Sequence, residues 1–309
     1  MLGTVMKSTG SWYVVRTEAN ELVECRIKGK IRVEHTLKAT NPVAVGDRVE
    51  FLMEENQNTG IISLVLDRKN YIIRRATNLS HQVQIIAANL DQALVVTSLV
   101  QPEVPLRFVD RFLVTAEAYN IPAGIILNKM DLICTPELRA AYENFREIYG
   151  SAGYQIMETS TETKGGLEAV RAGLEGKISL ISGFSGVGKS SLINAIAPNL
   201  NIRTGEISDF SQKGTHTTTF AEMHELSENS YIIDTPGIKS LGLIDIQPAE
   251  LSHFFPEIKA RLHGCKYHNC THFSEPKCAV RVAVANQEIT QERYESYLAM
   301  LTNDHEKYY

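Results

Sequence analysis

The chain of 309 residues has one tryptophan, five cysteines and no excess of positive charge. Cys265, Cys270 and Cys278 crowd together while Cys25 and Cys134 stand alone, an odd and uneven set that argues against a disulfide framework and for metal binding in a reducing compartment. No apolar run approaches the roughly 20 residues that span a bilayer, so no membrane segment is expected. The opening stretch Met1-Leu2-Gly3-Thr4-Val5-Met6-Lys7 lacks the charged-then-apolar layout of a secretory leader, and a cytoplasmic protein is expected. The formal net charge is -5, so the global field does not attract nucleic acid; any RNA contact must come from local basic patches.

What is present is a globular composition, 43% hydrophobic and 22% charged, with length for two or three cores. Residues 1–68 hold short, partly alternating runs (Ser11 to Val15, Glu24 to Lys28, Arg48 to Leu52) separated by turn residues such as Gly29, Gly46-Asp47 and Asn58-Thr59-Gly60. That spacing predicts a small closed β-barrel of the OB type. Arg26, Lys28, Lys30, Arg32 and Lys38 concentrate there, with Trp12 and Tyr13 as candidate stacking residues, so the barrel is read either as a nucleic-acid-binding face or as an ordinary solvated surface. Residues 69–80, with Lys69, Asn70, Arg74, Arg75 and Asn78, read as a basic connector. From there to 240, apolar branched runs (Ala93 to Ser98, Ala123 to Leu127, Ile178 to Ser182, Tyr231 to Ile233) alternate with helical stretches at 107–119 and 136–149, an α/β doubly wound layout within a 69–240 domain. The 241–309 segment reads as mainly helical, with a short helix over 248–258, a Cys/His loop, and a tail helix over about 287–301 whose Tyr294 and Tyr297 belong to a packing face.

Three motifs follow directly on the predicted strands, where doubly wound sheets bind ligands. Gly183-Phe184-Ser185-Gly186-Val187-Gly188-Lys189-Ser190 is a complete phosphate loop, with Ser191 continuing it into a helix. Its backbone N–H groups and helix N-terminus suit phosphates, Lys189 the β- and γ-phosphates, and Ser190 a magnesium ion. Asp234-Thr235-Pro236-Gly237 follows Tyr231-Ile232-Ile233; a carboxylate there serves magnesium and the Gly237 N–H the γ-phosphate. Asn128-Lys129-Met130-Asp131 reads the base, because the Asp131 carboxylate can accept from the N1–H and exocyclic amine of guanine, donors that adenine cannot supply. Between the phosphate loop and Asp234-Thr235-Pro236-Gly237, Gly214-Thr215-His216-Thr217-Thr218-Thr219 stands where a switch is expected, and either Thr217 or Thr218 is the magnesium-binding threonine. Thr159-Ser160-Thr161 is a weaker candidate for the loop covering the base. The order is inverted: an ordinary GTPase carries the phosphate loop first and NKxD last, whereas here NKMD leads.

Together with Val45-Gly46-Asp47-Arg48-Val49, the Ile86 to Asp91 stretch and Arg293-Tyr294-Glu295-Ser296-Tyr297-Leu298, these motifs resemble the circularly permuted GTPases of the RsgA/YjeQ type over nearly the whole chain. The resemblance implies an N-terminal OB-fold, a permuted GTPase domain and a C-terminal zinc domain. It also implies GTP and GDP as ligands, binding to the small (30S) ribosomal subunit and its 16S rRNA late in maturation, and hydrolysis stimulated by that subunit, with release of the protein itself or of other assembly factors. Cys265, Cys270 and Cys278 with one imidazole make a closed tetrahedral set for one structural zinc; His263 and His268 are near enough in sequence to compete, and the resemblance favours His272. A monomer is expected.

Position 238 is isoleucine, where Ras-like enzymes carry the glutamine that orients the attacking water, so His216 is the candidate for that role; ordering the switch or touching RNA are its alternatives. Slow hydrolysis by the isolated protein follows. A second reading keeps the architecture but makes the chain a nucleotide-dependent RNA-binding checkpoint in which hydrolysis is secondary. Because DTPG runs within about thirty residues into the zinc loop, the permutation is also expected to couple the γ-phosphate state to the zinc domain.

Overall fold

Alternating burial closes the first strands into a barrel. The computed structural model describes residues 1–32, 41–55, 57–75, 83–200, 221–234 and 246–302, with the side chains of 28, 30–32, 74, 75 and 234 outside that description. Strands β1 (Leu2–Ser8), β2 (Trp12–Thr17), β3 (Leu22–Arg32), β4 (Arg48–Met53) and β5 (Thr59–Val65) pair in the order β1-β2-β3-β5-β4, and β4 returns to β1 to close the ring. Val5, Tyr13, Val15, Cys25, Val49, Phe51 and Ile62 fill its interior, as the period of two requires. That period separates the two aromatic candidates. Trp12 is exposed on the outer face, whereas Tyr13 is 2% exposed and is a core residue, not a stacking platform. Of the basic stretch, Arg26 lies against Glu54 (Nε–Oε2 3.2 Å), while Lys38 and the side chains of Lys28, Lys30 and Arg32 lie outside the described residues.

The expected connector carries a strand. β6 (Tyr71–Arg75) pairs antiparallel with β7 (Val83–Ala88), Ile72 and Ile73 are buried, and Asn70 exchanges two 2.8 Å hydrogen bonds with the backbone of Leu90. The short apolar run Tyr71-Ile72-Ile73, enclosed by polar residues, disguised it; Asn78 lies outside the described residues. Gly46 makes the junction with the barrel: at φ +88° a Cβ would meet Ala88 O at 2.1 Å, so only glycine lets the barrel backbone approach β7.

The main sheet then builds as predicted. β8 (Gln92–Thr97), β9 (Ala123–Leu127), β10 (Gln155–Glu158), β11 (Ile178–Gly183) and β13 (Ser230–Asp234) are parallel, in the order β10-β9-β8-β11-β13, and β12 (Glu222–Ser227) adds antiparallel to β13. Helices α1 (Leu106–Ala118), α2 (Pro136–Ser151), α3 (Leu167–Leu174) and α4 (Lys189–Ile196) cover it. The barrel's β1 pairs antiparallel with β12, so one eleven-stranded sheet runs through both units. The strand order reverses between β8 and β11, which opens a crevice at their carboxyl ends.

The C-terminal part holds a 3-10 turn (Leu251–Phe254), then α5 (Pro256–Lys259), α6 (Ala279–Ala285) and α7 (Gln291–Leu301). The single helix expected over 248–258 is broken because Phe255 precedes Pro256 and adopts an extended backbone (φ -111°, ψ 102°). The tail helix starts at Gln291, since Thr290 is extended as its N-cap. Among the described residues no helix is long and apolar enough to cross a membrane.

Candidate functional site

β11 delivers Gly183 to the crevice, and α4 begins at Lys189. Gly186 and Gly188 both have positive φ, +84° and +88°, which turns the loop tightly enough for its N–H groups to face one centre. Phe184 packs edge-on against Phe108 of α1, with ring centroids 5.4 Å apart, and Val187 is fully buried. Ser185 and Ser191 are exposed, Ser190 half-buried and Lys189 buried at the helix start.

NKMD leaves the end of β9 and turns onto this loop. Asn128, 2% exposed, donates from Nδ2 to Val187 O at 2.9 Å and accepts on Oδ1 from Thr159 Oγ1 at 3.0 Å. Lys129, in the left-handed conformation, donates from Nζ to Gly186 O at 2.8 Å and to Gln101 O. Met130 N–H donates to Thr159 O at 3.1 Å, and Asp131 accepts from Ser160 Oγ. The three sequence stretches at 128–131, 159–160 and 183–190 therefore meet at the carboxyl ends of the strands. Of the Thr159-Ser160-Thr161 candidate, Thr159 and Ser160 donate their hydroxyls to the side chains of Asn128 and Asp131. The contribution of Gln101, from the loop after β8, had no signal in the sequence.

Asp234 ends β13 in register with Ile181 of β11, which brings its backbone beside the strand that feeds the phosphate loop. Its side chain, Gly237, Ile238, His216, Thr217 and Thr218 lie outside the described residues. Hard oxygen donors of the Ser190 and Asp234 kind suit magnesium.

Cys265, Cys270, His272 and Cys278 place four ligand atoms within 4.8 Å of one another, and neither His263 nor His268 belongs to this group. Cys265 Sγ lies 3.9 Å from Cys278 Sγ, and His272 Nδ1 lies 3.3 and 3.6 Å from Cys278 and Cys265. A tetrahedral zinc with ordinary Zn–S and Zn–N lengths puts sulfurs about 3.8 Å apart and a sulfur about 3.6 Å from the imidazole nitrogen, so the donor set fits that ion. Burial pushes the Cys270 thiol up to about 12 and raises Cys278, while it lowers His272 and keeps its imidazole neutral. Such thiols keep their protons until a cation displaces them.

The loop's backbone is held from outside. Tyr294 and Tyr297 of α7 donate their hydroxyls to His272 O and Thr271 O at 2.6 and 2.7 Å. Burial favours a protonated Glu275, but hydrogen bonds from Thr271 Oγ1–H, Thr271 N–H and Ser274 N–H outweigh it and hold the carboxyl at about 2. The tyrosines are a packing face, as their spacing suggested; that their hydroxyls support the metal loop had no sequence signal.

Two family models match: RsgA N-terminal domain over residues 2–62, and RsgA GTPase over residues 65–244. A Bacteroides fragilis protein named small ribosomal subunit biogenesis GTPase RsgA is 49% identical, with the alignment covering 100% of this chain and 99% of that one. Its namesake from Flavobacterium johnsoniae is 46% identical over 100% and 95%. Among solved structures, YjeQ from Thermotoga maritima superposes with a TM-score of 0.78 at 37% identity, covering 98% of this chain and 97% of the other. YloQ, described as a circularly permuted GTPase, gives 0.74 at 31% identity over 98% and 94%. With models of both parts matching in sequence, and relatives aligned end to end, this chain belongs to the RsgA family of GTPases.

Proposed function

We propose that the protein hydrolyses GTP to GDP and phosphate on the small ribosomal subunit, late in that subunit's maturation in the cytoplasm, and that hydrolysis releases it or other assembly factors. The observation that carries the reading is the bond from Asn128 Nδ2 to Val187 O, which locks a guanine-selective motif onto a phosphate loop. The names of full-length relatives supply the subunit.

In this mechanism Asp131, oriented by Ser160, accepts from the guanine edge; ATP would leave that carboxylate unpaired. The loop N–H groups and Lys189 hold the phosphates and stabilise the charge that grows on them in the transition state. Ser190, Asp234 and one of Thr217 and Thr218 would hold magnesium, which neutralises phosphate charge when bound. His216 orients the attacking water, because Ile238 offers neither donor nor acceptor. Cys265, Cys270, His272 and Cys278 would hold zinc, which would supply structural cross-linking of the C-terminal loop when bound. Exposed Trp12, beside Arg26 on the barrel, and exposed Tyr267, beside Lys266 on the zinc module, with exposed Phe273 on the same module, supply aromatic and basic groups for 16S rRNA on a chain of net negative charge. The protein acts as a monomer.

GTP turnover measured alone, with small subunits, with large subunits and with free RNA tests this. Small subunits alone should accelerate turnover, and His216→Ala should abolish the acceleration while GTP still binds. Equal acceleration by large subunits would overturn the choice of partner, and unchanged turnover in the variant would overturn the role of His216.

A further inference from the structure

The helix that flanks the phosphate loop also carries the zinc module. On α1, Phe108 meets Phe184 of the phosphate loop edge to face. Two residues on, Asp110 points the other way and is 1% exposed; its Oδ1 accepts from Arg293 Nη1 of α7 at 2.7 Å, and its Oδ2 accepts from Ser296 Oγ. Val114, one turn further, packs in the core of the C-terminal part with Leu251, Phe255 and Ile258.

Arg293 is itself 1% exposed, and Glu257 of α5 takes its other edge (Nε–Oε1 2.7 Å, Nη2–Oε2 3.3 Å). Its guanidinium lies over the Phe255 ring at 4.6 Å. The next residue, Tyr294, donates to the carbonyl of His272. Phosphate loop and metal loop are thus joined by an unbroken series of described contacts: Phe184 to Phe108, Asp110 to Arg293, Tyr294 to His272. A surface helix needs no fully buried cation between two carboxylates, and such a group is expensive to desolvate unless every donor is paired. Here Nε, Nη1 and Nη2 all have carboxylate partners.

We propose that Phe108 and Arg293 are positioning residues of the nucleotide site, which tie the phosphate loop to the zinc loop through α1 so that metal occupancy sets nucleotide affinity and nucleotide sets metal retention. This rests on the reading that residues 183–190 bind guanine nucleotide and that the Cys3His cluster holds zinc. Linkage is reciprocal, so one factor must appear in both measurements.

The experiment uses the full-length chain. Affinity for fluorescently labelled GDP is titrated with zinc bound and after chelation, and zinc affinity is measured by competition with a chromophoric chelator, with and without magnesium GDP. The wild type should show the same factor in both, about fivefold or more. In Phe108→Leu, which keeps an apolar side chain but removes the ring edge, both ligands should bind with the factor reduced to near one. Arg293→Met alone leaves two buried carboxylates without a counter-charge and endangers folding. The Asp110→Asn, Glu257→Gln, Arg293→Met chain, which removes all three charges together, is therefore the second variant, and it should uncouple the sites in the same way. A wild type that binds both ligands without linkage, or variants that keep the full factor, would overturn the proposal alone. Failure of the wild type to bind GDP or zinc at all would overturn the site reading and the proposal with it.

Discussion

A Cβ at position 188 would stand 2.6 Å from Asn128 Nδ2, on a backbone held at φ +88°. Glycine is required there twice over, once by the left-handed turn and once by the close approach of Asn128 to the loop. Gly188→Ala should weaken labelled-GDP binding at least about tenfold, the equivalent of 1.4 kcal/mol, in a fluorescence titration of a variant whose thermal midpoint shows it is folded. Unchanged affinity would mean that this loop does not hold the nucleotide. The spacing of the glycines was readable in the sequence because their chemistry is local. The bond from Asn128 to Val187 was not, since 59 residues separate the partners and only the sheet brings them together. Trp12 and Tyr13 show a different limit. Both β2 faces begin with an aromatic and continue with valine (Trp12, Val14; Tyr13, Val15), so alternation alone could not say which ring enters the barrel.

Elements were legible in proportion to how much of their burial is written into a continuous run. β8, β9 and β11 are apolar over most of their length, and their positions agree with the expected ones to within a residue or so. β6 was hidden by the polar residues around its apolar start, and Pro256 divided a helix that composition alone would continue. The metal loop is an element of another kind, held by donors and side-chain hydrogen bonds instead of a core. Glu275 is its most heavily bonded anchor, and its charge gives a pH signature. The folded-state value, about 2, lies below the ordinary 4.5, so the stabilisation is present above 4.5 and is lost as pH falls from there towards 2. Glu275→Gln should lower the thermal midpoint by about 2 °C at neutral pH. The gap between variant and wild type should stay constant from pH 7 to 5 and close as pH falls below 4.5. A gap that persists below the wild-type value of Glu275 would show that the loss is one of packing and not of charge.

At the scale of the molecule, the inverted motif order suggested a lever from Asp234-Thr235-Pro236-Gly237 into the zinc loop. Residues 235–245 lie outside the described residues; among the described contacts it is α1 that meets the zinc-loop part of the chain, through Asp110 and Arg293. The two junctions of the nucleotide core differ in kind. Towards the barrel, β1 and β2 reach β12 with ion pairs that are partly solvated, Lys7 of β1 to Glu222 at 2.9 Å and Arg16 of β2 to Glu225 at 2.6 Å, each worth no more than about 1 kcal/mol and weakened by salt. Towards the zinc module, Arg293 and its two carboxylates are all under 5% exposed, and separating one partner from such a group costs about 3–5 kcal/mol. Coupling free energies between sites are typically about 1–3 kcal/mol, too little to pull that junction apart. The γ-phosphate should therefore change how tightly α1 is packed without swinging the zinc module off it. Labels at exposed Val282 on the module and exposed Glu137 on α2 should report the same separation in the GDP form and in the GTP-analogue form of the isolated protein, while hydrogen exchange in α1 slows in whichever form binds tighter. A changed separation would restore the lever; an unchanged separation with unchanged exchange would leave the permutation without a mechanical role in the free protein.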